Sequence, residues 1–335
     1  MKAIAYKIDT ESSEGCFVEI EQQIPEAEGH DLLIRIEAIS VNPVDYKVRQ
    51  GVSGAQDSPK VLGWDASGVV ESVGGEVSLF KPGERVYYAG EITRSGSYAE
   101  LQLVDESIVG LMPGSLNFAQ AAALPLTSIT AWEALFDRLK INPEADSGKQ
   151  ILIIGGAGGV GSIAIQLASK VAGLNVVATA SRAETRQWCL AQGADKVINH
   201  HDSLVQQYEQ HKLAPPDYIL CLNSTDAHFD AMMELIAPQG MICSIVETRE
   251  NHNLDKLKSK SAGFVWEFMF TRSMYKTADM IKQHKMLNEI ASLVDAGKIK
   301  TTLNKTYSQI SVANIIAAHK QLEAGSCIGK IVLLK

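Results

Sequence analysis

The stretch Ile151-Leu152-Ile153-Ile154-Gly155-Gly156-Ala157-Gly158-Gly159-Val160-Gly161 restricts the fold more than any other part of the chain. Four aliphatic residues predict a buried strand, and the glycines predict a tight turn. Apolar residues then recur at Val160, Ile163, Ala164, Leu167, Ala168 and Val171, which is the spacing of one helix face. A second strand is expected over residues 175–178, beyond Gly173. Gly156, Gly158 and Gly161 therefore fit G-x-G-x-x-G in the strand–turn–helix context that gives the pattern its meaning. In that context Gly156 permits the turn, Gly158 lets a pyrophosphate approach the backbone, and Gly161 lets helix and strand pack closely. The amides of Gly159 and Val160 at the helix start would face the phosphates. A glycine-rich turn of some other α/β protein is the competing explanation.

The end of the second strand bears on which dinucleotide would bind. NAD sites usually carry Asp or Glu there, about 20 residues past the glycines, to hold the ribose 2′-hydroxyl. Here the strand runs through Val176-Val177-Ala178-Thr179-Ala180 into Ser181 and Arg182, and Glu184 lies further into the next helix. Arg182, with Arg186 one turn on, suits a 2′-phosphate, because guanidinium pairs well with phosphate oxygens. The expectation is NADPH, with two solvated surface arginines as the alternative.

With 335 residues, two domains are expected. Residues 1–122 look β-rich: a first strand opens at Met1, residues 32–38 alternate, and 68–73, 85–88 and a strand opening at 96–100 follow. From Thr127 onward helices (130–139, 184–192, 228–235) alternate with strands (151–154, 175–178, 196–198, 217–222, 241–246), which implies a doubly wound parallel sheet. The tail predicts helices over 280–296 and 312–324 and a last strand over 329–334, with a polar loop over 250–261. The net charge of −8 argues against nucleic acid as the main partner. No apolar run reaches the about 18 residues that a membrane helix needs. The five scattered cysteines suit a reducing, cytoplasmic setting and read as buried thiols.

Several further motifs run the length of the chain. They are Val41-Asn42-Pro43-Val44-Asp45-Tyr46-Lys47, Leu62-Gly63-Trp64-Asp65-Ala66-Ser67-Gly68, Pro82-Gly83-Glu84-Arg85-Val86 and Gly96-Ser97-Tyr98-Ala99-Glu100. Ala123-Leu124-Pro125-Leu126-Thr127, Thr130-Ala131-Trp132-Glu133-Ala134-Leu135 and the closing Gly329-Lys330-Ile331-Val332-Leu333 complete the set. In this order and spacing the chain resembles the medium-chain dehydrogenase/reductase superfamily, and within it the zinc-free quinone oxidoreductase branch, whose members are often labelled zinc-type alcohol dehydrogenase-like. The resemblance implies a GroES-like β-barrel catalytic domain from residues 1–125 and 280–335. It implies a Rossmann NADPH-binding domain over 126–279, a cofactor in the cleft, and a homodimer or homotetramer.

Zinc members of that family hold catalytic metal with a Cys near the first motif and a Gly-His-Glu in the second. Here residues 42–46 hold no Cys, Trp64 stands in place of the His, and Asp65 keeps only the acid. A structural zinc lobe would need four close cysteines, and none lies between Cys16 and Cys189. The expectation is no metal, with Asp65 bonded to backbone or to a nearby Arg. His200-His201-Asp202 would simply end the third strand of the nucleotide domain.

Without a Lewis acid, an alkoxide is poorly stabilised. A quinone or an α,β-unsaturated carbonyl needs less help, because hydride addition spreads charge onto a carbonyl oxygen that a hydrogen bond or two can hold. The resemblance puts Tyr46 in the motif that lines the nicotinamide cleft, as candidate proton donor or pocket aromatic, with Asn42 beside it as a positioning residue. Trp64 would wall the pocket for a flat substrate or pack in the core. Phe264, Trp266, Phe268 and Met269 form an apolar cluster that in the family approaches the cleft and the dimer contact. Cofactor contacts are also expected at strand ends, from His200, Asn223, Ser244 and Val246, and from Thr127 and Lys330. Rival readings are an alcohol or aldehyde dehydrogenase of the same superfamily, and a weakly catalytic NADPH-binding sensor or stress protein.

Overall fold

The computed structural model describes residues 1–8, 15–52 and 59–335. The chain divides into two compact units, residues 1–126 with 270–335, and residues 127–269. The return to the first unit thus falls at Phe270, ten residues before the expected 280.

The first unit begins with β1 (Lys2–Ile8), β2 (Gly15–Glu21), β3 (Asp31–Val41), α1 (Pro43–Gly51), β4 (Lys60–Val61), β5 (Asp65–Val73), β6 (Arg85–Tyr88), β7 (Leu101–Asp105), β8 (Val109–Leu111) and α2 (Phe118–Ala122). A helix α3 (Pro125–Trp132) leads onward and continues as a π-helical stretch, Glu133–Arg138, where one α-helix was expected. The second unit holds β9 (Gln150–Ile154), α4 (Gly159–Gln166), β10 (Asn175–Thr179), α5 (Ala183–Gln192), β11 (Lys196–Ile198), α6 (Leu204–Gln210), β12 (Tyr218–Cys221), α7 (Thr225–Leu235), β13 (Met241–Ser244) and β14 (Gly263–Trp266). The chain then returns through α8 (Thr271–Met274), α9 (Lys282–Asp295), β15 (Leu303–Tyr307), α10 (Val312–Glu323) and β16 (Lys330–Leu334).

Two sheets build the first unit. One has the order β2-β1-β4; the other runs β15-β16-β3-β5-β6-β8, with β7 paired to β3. Among the described residues these pairings trace an open path rather than the expected closed barrel. The strand expected to open at 96–100 starts at Leu101, and Ala99 makes only a single bridge to Ala3. The C-terminal strand β16 lies antiparallel on β3, pairing Ile331 with Val41. That register places Lys330 against the end of β3, where the site residues begin.

The second unit is one parallel sheet of order β11-β10-β9-β12-β13-β14. Sequential strands wind outward to both sides of β9, so a topological switch point lies at its carboxyl end. Ile151, Leu152, Ile153 and Ile154 are all buried, as strands covered on both faces require. Leu152, Ile154, Val177, Ile198, Ile219 and Ile242 share one core with Leu204 and Tyr208 of α6 and Phe229 and Met232 of α7. Gly193 ends α5 in the left-handed region (φ 114°), the usual helix stop. The segment read as a polar loop, 250–261, contains a short 3-10 helix, Leu254–Lys260.

Candidate functional site

The glycine turn follows β9 directly, and its residues divide the work differently from the sequence expectation. Gly155, one position before the counted motif, takes the left-handed conformation (φ 87°) that makes the turn. Gly156 is needed for packing: a Cβ there would lie 2.9 Å from the Cβ of Ala178 and 3.0 Å from the Sγ of Cys189. Gly161 behaves as expected, since its Cβ would come within 2.4 Å of the Gly155 carbonyl oxygen. Gly158 faces open space, where a Cβ would meet only that same oxygen at 3.6 Å. It caps the N-terminus of α4 in extended conformation, and Gly159 and Val160 follow as half-buried first-turn residues. First-turn amides have no partner within their helix, which makes this end an anion site. Asn223, exposed just past β12, flanks the turn: a Cβ on Gly155 would sit 3.6 Å from its Cβ.

Beside the turn, Thr179 holds β10 to β9 by accepting from Gly155 N through Oγ1 (3.0 Å). The chain leaves β10 through half-buried Ser181 and Arg182. Arg182 is the N-cap of α5; its amide donates to Thr185 Oγ1 (3.1 Å) and its Nε lies 2.8 Å from the Glu184 carboxylate. That ion pair is well exposed on both sides and holds the guanidinium only weakly. Arg186 is more committed, because its Nη2 donates to the Val197 carbonyl of β11 (3.0 Å). His200, just past β11, is half-buried, and its Nδ1 is buried without a hydrogen-bond partner. Burial first, and then the charges of His201, His228 and Arg182, hold its pKa below the usual 6.5.

Of the other expected cofactor residues of this unit, Ser244 and Thr127 are buried and Val246 is half-buried. Ser244 is fully buried, bonded to Thr225 Oγ1 (2.7 Å) and donating to the Cys221 carbonyl (3.3 Å). Val246 offers its carbonyl to Thr225 Oγ1 (2.6 Å). Together they pin β13 to the start of α7. Thr127 is buried in α3 at 2% exposure. Trp266 stands on the edge strand β14 with 47% of its surface exposed and its ring edge-on to Phe264.

In the first unit Asn42, Asp65 and Lys330 form one buried cluster. Asp65 Oδ1 accepts from the Leu126 amide (2.7 Å), and its Oδ2 from Asn42 Nδ2 (2.8 Å). The Lys330 ammonium lies 3.1 Å from Oδ2 and also donates to the Val41 carbonyl (2.9 Å) and to Asn42 Oδ1. Burial pushes the Asp65 carboxyl above its ordinary range, while Lys330 and the amide donors pull it back. Both oxygens are met by donors, one an ammonium, which is the setting of an ionised carboxylate. Of the partners expected for Asp65, the backbone is present as the Leu126 amide, and the cation is Lys330 rather than an arginine. Lys330 was expected at the cofactor, but its three donors are all used inside the unit. The Asn42 amide is likewise spent on Asp65 and Lys330. Trp64 is fully buried, edge-on to Phe270 at 6.1 Å, so it is core and presents no wall. Its Nε1 has no partner. Tyr46, on α1, is half-buried.

The sequence reading missed a second buried network beside this cluster. Asp45 Oδ2 accepts from the Asn42 amide (2.8 Å) and from Tyr98 OH (3.0 Å). The same hydroxyl meets His319 Nε2 (2.9 Å), His319 Nδ1 lies 3.4 Å from Arg49 Nη1, and Arg49 pairs with Glu323. Burial raises Asp45 to about 7 and lowers His319 to about 3, with the Arg49 charge adding to the latter.

Comparison with known proteins agrees with this architecture. The family model "Alcohol dehydrogenase GroES-like domain" matches residues 28–128, and "Zinc-binding dehydrogenase" matches 192–333. A zinc-type alcohol dehydrogenase-like protein of Staphylococcus aureus is 45% identical over 336 residues, covering 99% of each chain. A 2-methylene-furan-3-one reductase of Solanum lycopersicum is 32% identical, over 99% of this chain and 79% of its own. Among solved structures, a candidate zinc-dependent alcohol dehydrogenase protein from Rhizobium etli superposes with TM-score 0.91 at 44% identity, covering 100% of this chain and 98% of its own. A mycobacterial protein solved with NADPH superposes with TM-score 0.84 at 25% identity over the whole of both chains.

The zinc in these names can be tested against the donors present. Zinc asks for three or four N, S or O ligands in tetrahedral array. At Asp65 the neighbouring side chains are an amide, an indole and an ammonium, and both carboxylate oxygens already accept protein donors. A second cation there would face the Lys330 charge. Among the described residues no group of three or more His, Cys, Asp or Glu is placed to hold a metal ion. The residues of this cluster do not fit zinc. The glycine turn, open at Gly158 and bordered by Arg182, does fit a dinucleotide.

Proposed function

The chain belongs to the medium-chain dehydrogenase/reductase superfamily, and we propose that within it the protein is a zinc-independent, NADPH-dependent oxidoreductase that reduces quinones or α,β-unsaturated carbonyls by hydride transfer. The observation that carries this reading is the saturation of Asp65 by Lys330, Asn42 and the Leu126 amide. The carboxylate that would serve a metal serves the fold, so the acceptor must be one that needs no Lewis acid.

The residues would divide the task as follows. Amides at Gly159, Val160 and Gly161 bind the pyrophosphate, and the open face of Gly158 lets it approach. Ser181 and Arg182 meet the 2′-phosphate, where guanidinium is suited to phosphate oxygens. Asn223 borders the turn from β12. NADPH, when bound, supplies a hydride. The charge that reaches the acceptor's carbonyl oxygen, as enolate or hydroquinone, then needs a donor, and Tyr46 is our candidate for it. A single donor of this kind is worth roughly 3–4 kcal/mol in comparable sites. Asn42 is a positioning residue: its backbone amide is tied to Asp45, its side chain to Asp65 and Lys330, and these bonds fix the start of α1 one turn before Tyr46. Water completes the protonation.

Two comparisons support the substrate and cofactor classes. One relative is named for reducing 2-methylene-furan-3-one, a methylene conjugated to a ring ketone, and a solved neighbour carries NADPH. We further read the protein as a homodimer or homotetramer, because β14 ends its sheet with Trp266 and Phe268 exposed. No helix among the described residues is long and apolar enough to cross a membrane, and we place the protein in the cytoplasm. NADPH oxidation should be followed with quinones, enones, and simple ketones and aldehydes. Turnover with the conjugated acceptors and none with the others is expected; preference for simple ketones would contradict the reading, and silence with tight NADPH binding would favour a sensor.

A further inference from the structure

The nucleotide-binding unit gathers three histidines at the carboxyl end of its sheet. His200 and His201 leave β11 with ring centroids 4.6 Å apart. His228 sits on α7, close enough to feel the charge of His201. β11 pairs with β10 so that Thr179 faces Ile198, and the Ala180 amide donates to the Ile198 carbonyl (2.9 Å). Carried two residues further, this parallel register sets His200 level with Ser181, where β10 gives way to the Arg182 cap. That is the level at which a dinucleotide site reads the ribose 2′-substituent. Among the described residues the His200 imidazole makes no hydrogen bond inside the protein, and its Nδ1 is buried without a partner. Buried polar atoms are seldom left so.

The groups that act on His200 are His201 from its own segment, His228 from α7 and Arg182 from the start of α5, all cationic or able to become so. Two carboxylates of the adjoining segments are engaged elsewhere, Glu184 with Arg182 and Asp202 with Asn199 Nδ2 (2.7 Å). The free protein therefore holds a neutral imidazole among positive neighbours.

Building on the NADPH reading above, we propose that His200 is a second, pH-sensitive determinant of cofactor choice. It takes up a proton from solvent when the 2′-phosphate arrives, and the imidazolium and Arg182 then hold the phosphate between them. The proton uptake follows from linkage: an anion that favours His200 in its charged form must bind more tightly when that form is easier to reach. NADH brings no 2′-phosphate and gains nothing from the proton. Selectivity for NADPH should therefore rise as pH falls toward the histidine range.

The test measures dissociation constants of NADPH and NADH by calorimetry from pH 6.5 to 8.5, in buffers of differing ionisation enthalpy, for the wild type, His200→Gln and Arg182→Ala. The wild-type selectivity should rise by up to about fivefold over that range, as a shift of about one pKa unit from just below 6.5 gives. NADPH binding near pH 7 should consume protons, and NADH binding should not. His200→Gln should remove both effects, leaving only the shallow opposite drift of the phosphate's own protonation near pH 6. A His200→Gln protein that kept the wild-type slope and proton uptake would overturn the proposal. If Arg182→Ala alone abolished discrimination, the NADPH reading would stand and the role of His200 would fall. Were neither variant to alter discrimination, the 2′-phosphate site itself would be wrong.

Discussion

Lys330, the first residue of the C-terminal strand, sets its ammonium 3.1 Å from the Asp65 carboxylate at the head of β5, with both side chains at most 4% exposed. The pair joins two segments 265 positions apart in sequence (330 − 65), and Asn42 bonds to both members. Breaking a buried pair by removing one partner strands the other charge, at a cost of about 3–5 kcal/mol. Lys330→Met should therefore lower unfolding stability by that amount in urea. Asp65→Asn combined with Lys330→Met should recover part of the loss. Equal destabilisation by single and double variants would show that the charge pairing is not what matters.

The glycines should separate binding from folding. Gly158→Ala adds a Cβ to open space at an extended residue, so stability should fall by no more than about 1 kcal/mol, the scale of a changed N-cap. NADPH affinity, read by fluorescence titration, should fall more than tenfold. Gly161→Ala drives a Cβ to 2.4 Å from the Gly155 carbonyl oxygen and 2.7 Å from the Gly156 Cα. Backbone atoms must move, and a loss of about 1–3 kcal/mol in stability is expected. Equal stability in the two variants would contradict the packing role of Gly161.

Arg182→Ala should cut the preference for NADPH over NADH by at least tenfold while changing stability by no more than about 1 kcal/mol, since its pair with Glu184 is exposed. A variant with unchanged preference would remove Arg182 from the 2′-phosphate site.

The Asp45–Tyr98–His319 network should shape stability against pH in opposing ways. Asp45 is raised to about 7, so its favourable contribution is present below its unfolded value near 4 and lost as pH rises through 7. His319 is lowered to about 3, so its contribution is present above its unfolded value near 6.5 and lost as pH falls toward 3. Between pH 4 and 6.5 the two slopes oppose each other, each reaching at most about 1.4 kcal/mol per pH unit. Asp45→Asn should make stability climb with pH across that window, and His319→Gln should make it decline. Urea titrations at intervals of pH read the sign directly; matching slopes in the two variants would contradict the network.

Much of the second unit was legible because its pattern is local. The expected strand at 196–198 is β11 to the residue, since apolar positions there are bounded by turns. In the first unit, 85–88 is β6 for the same reason. β15 escaped notice because Leu303–Tyr307 is polar and largely exposed, and among the described residues it pairs with β16 alone. The helix α1 had its signal, an Asn followed by Pro at the first helical position, which the sequence reading did not use. Lys330 was read as a ligand contact; a lone lysine opening an apolar strand was the hint that it is buried. Asp45, Tyr98 and His319 come from three distant segments, and no spacing announces that polar side chains so far apart will share a core. The left-handed residue of the turn, Gly155, could not be told from Gly156 by sequence, because both are glycine and only φ separates them.

The measurement that bears most directly on the account is turnover by protein stripped with chelator, its residual metal quantified, with NADPH and a conjugated enone as substrates. The account predicts full activity at far less than one metal ion per chain and no gain when zinc is added back. Activity that disappears with the metal and returns in proportion to bound zinc would contradict it.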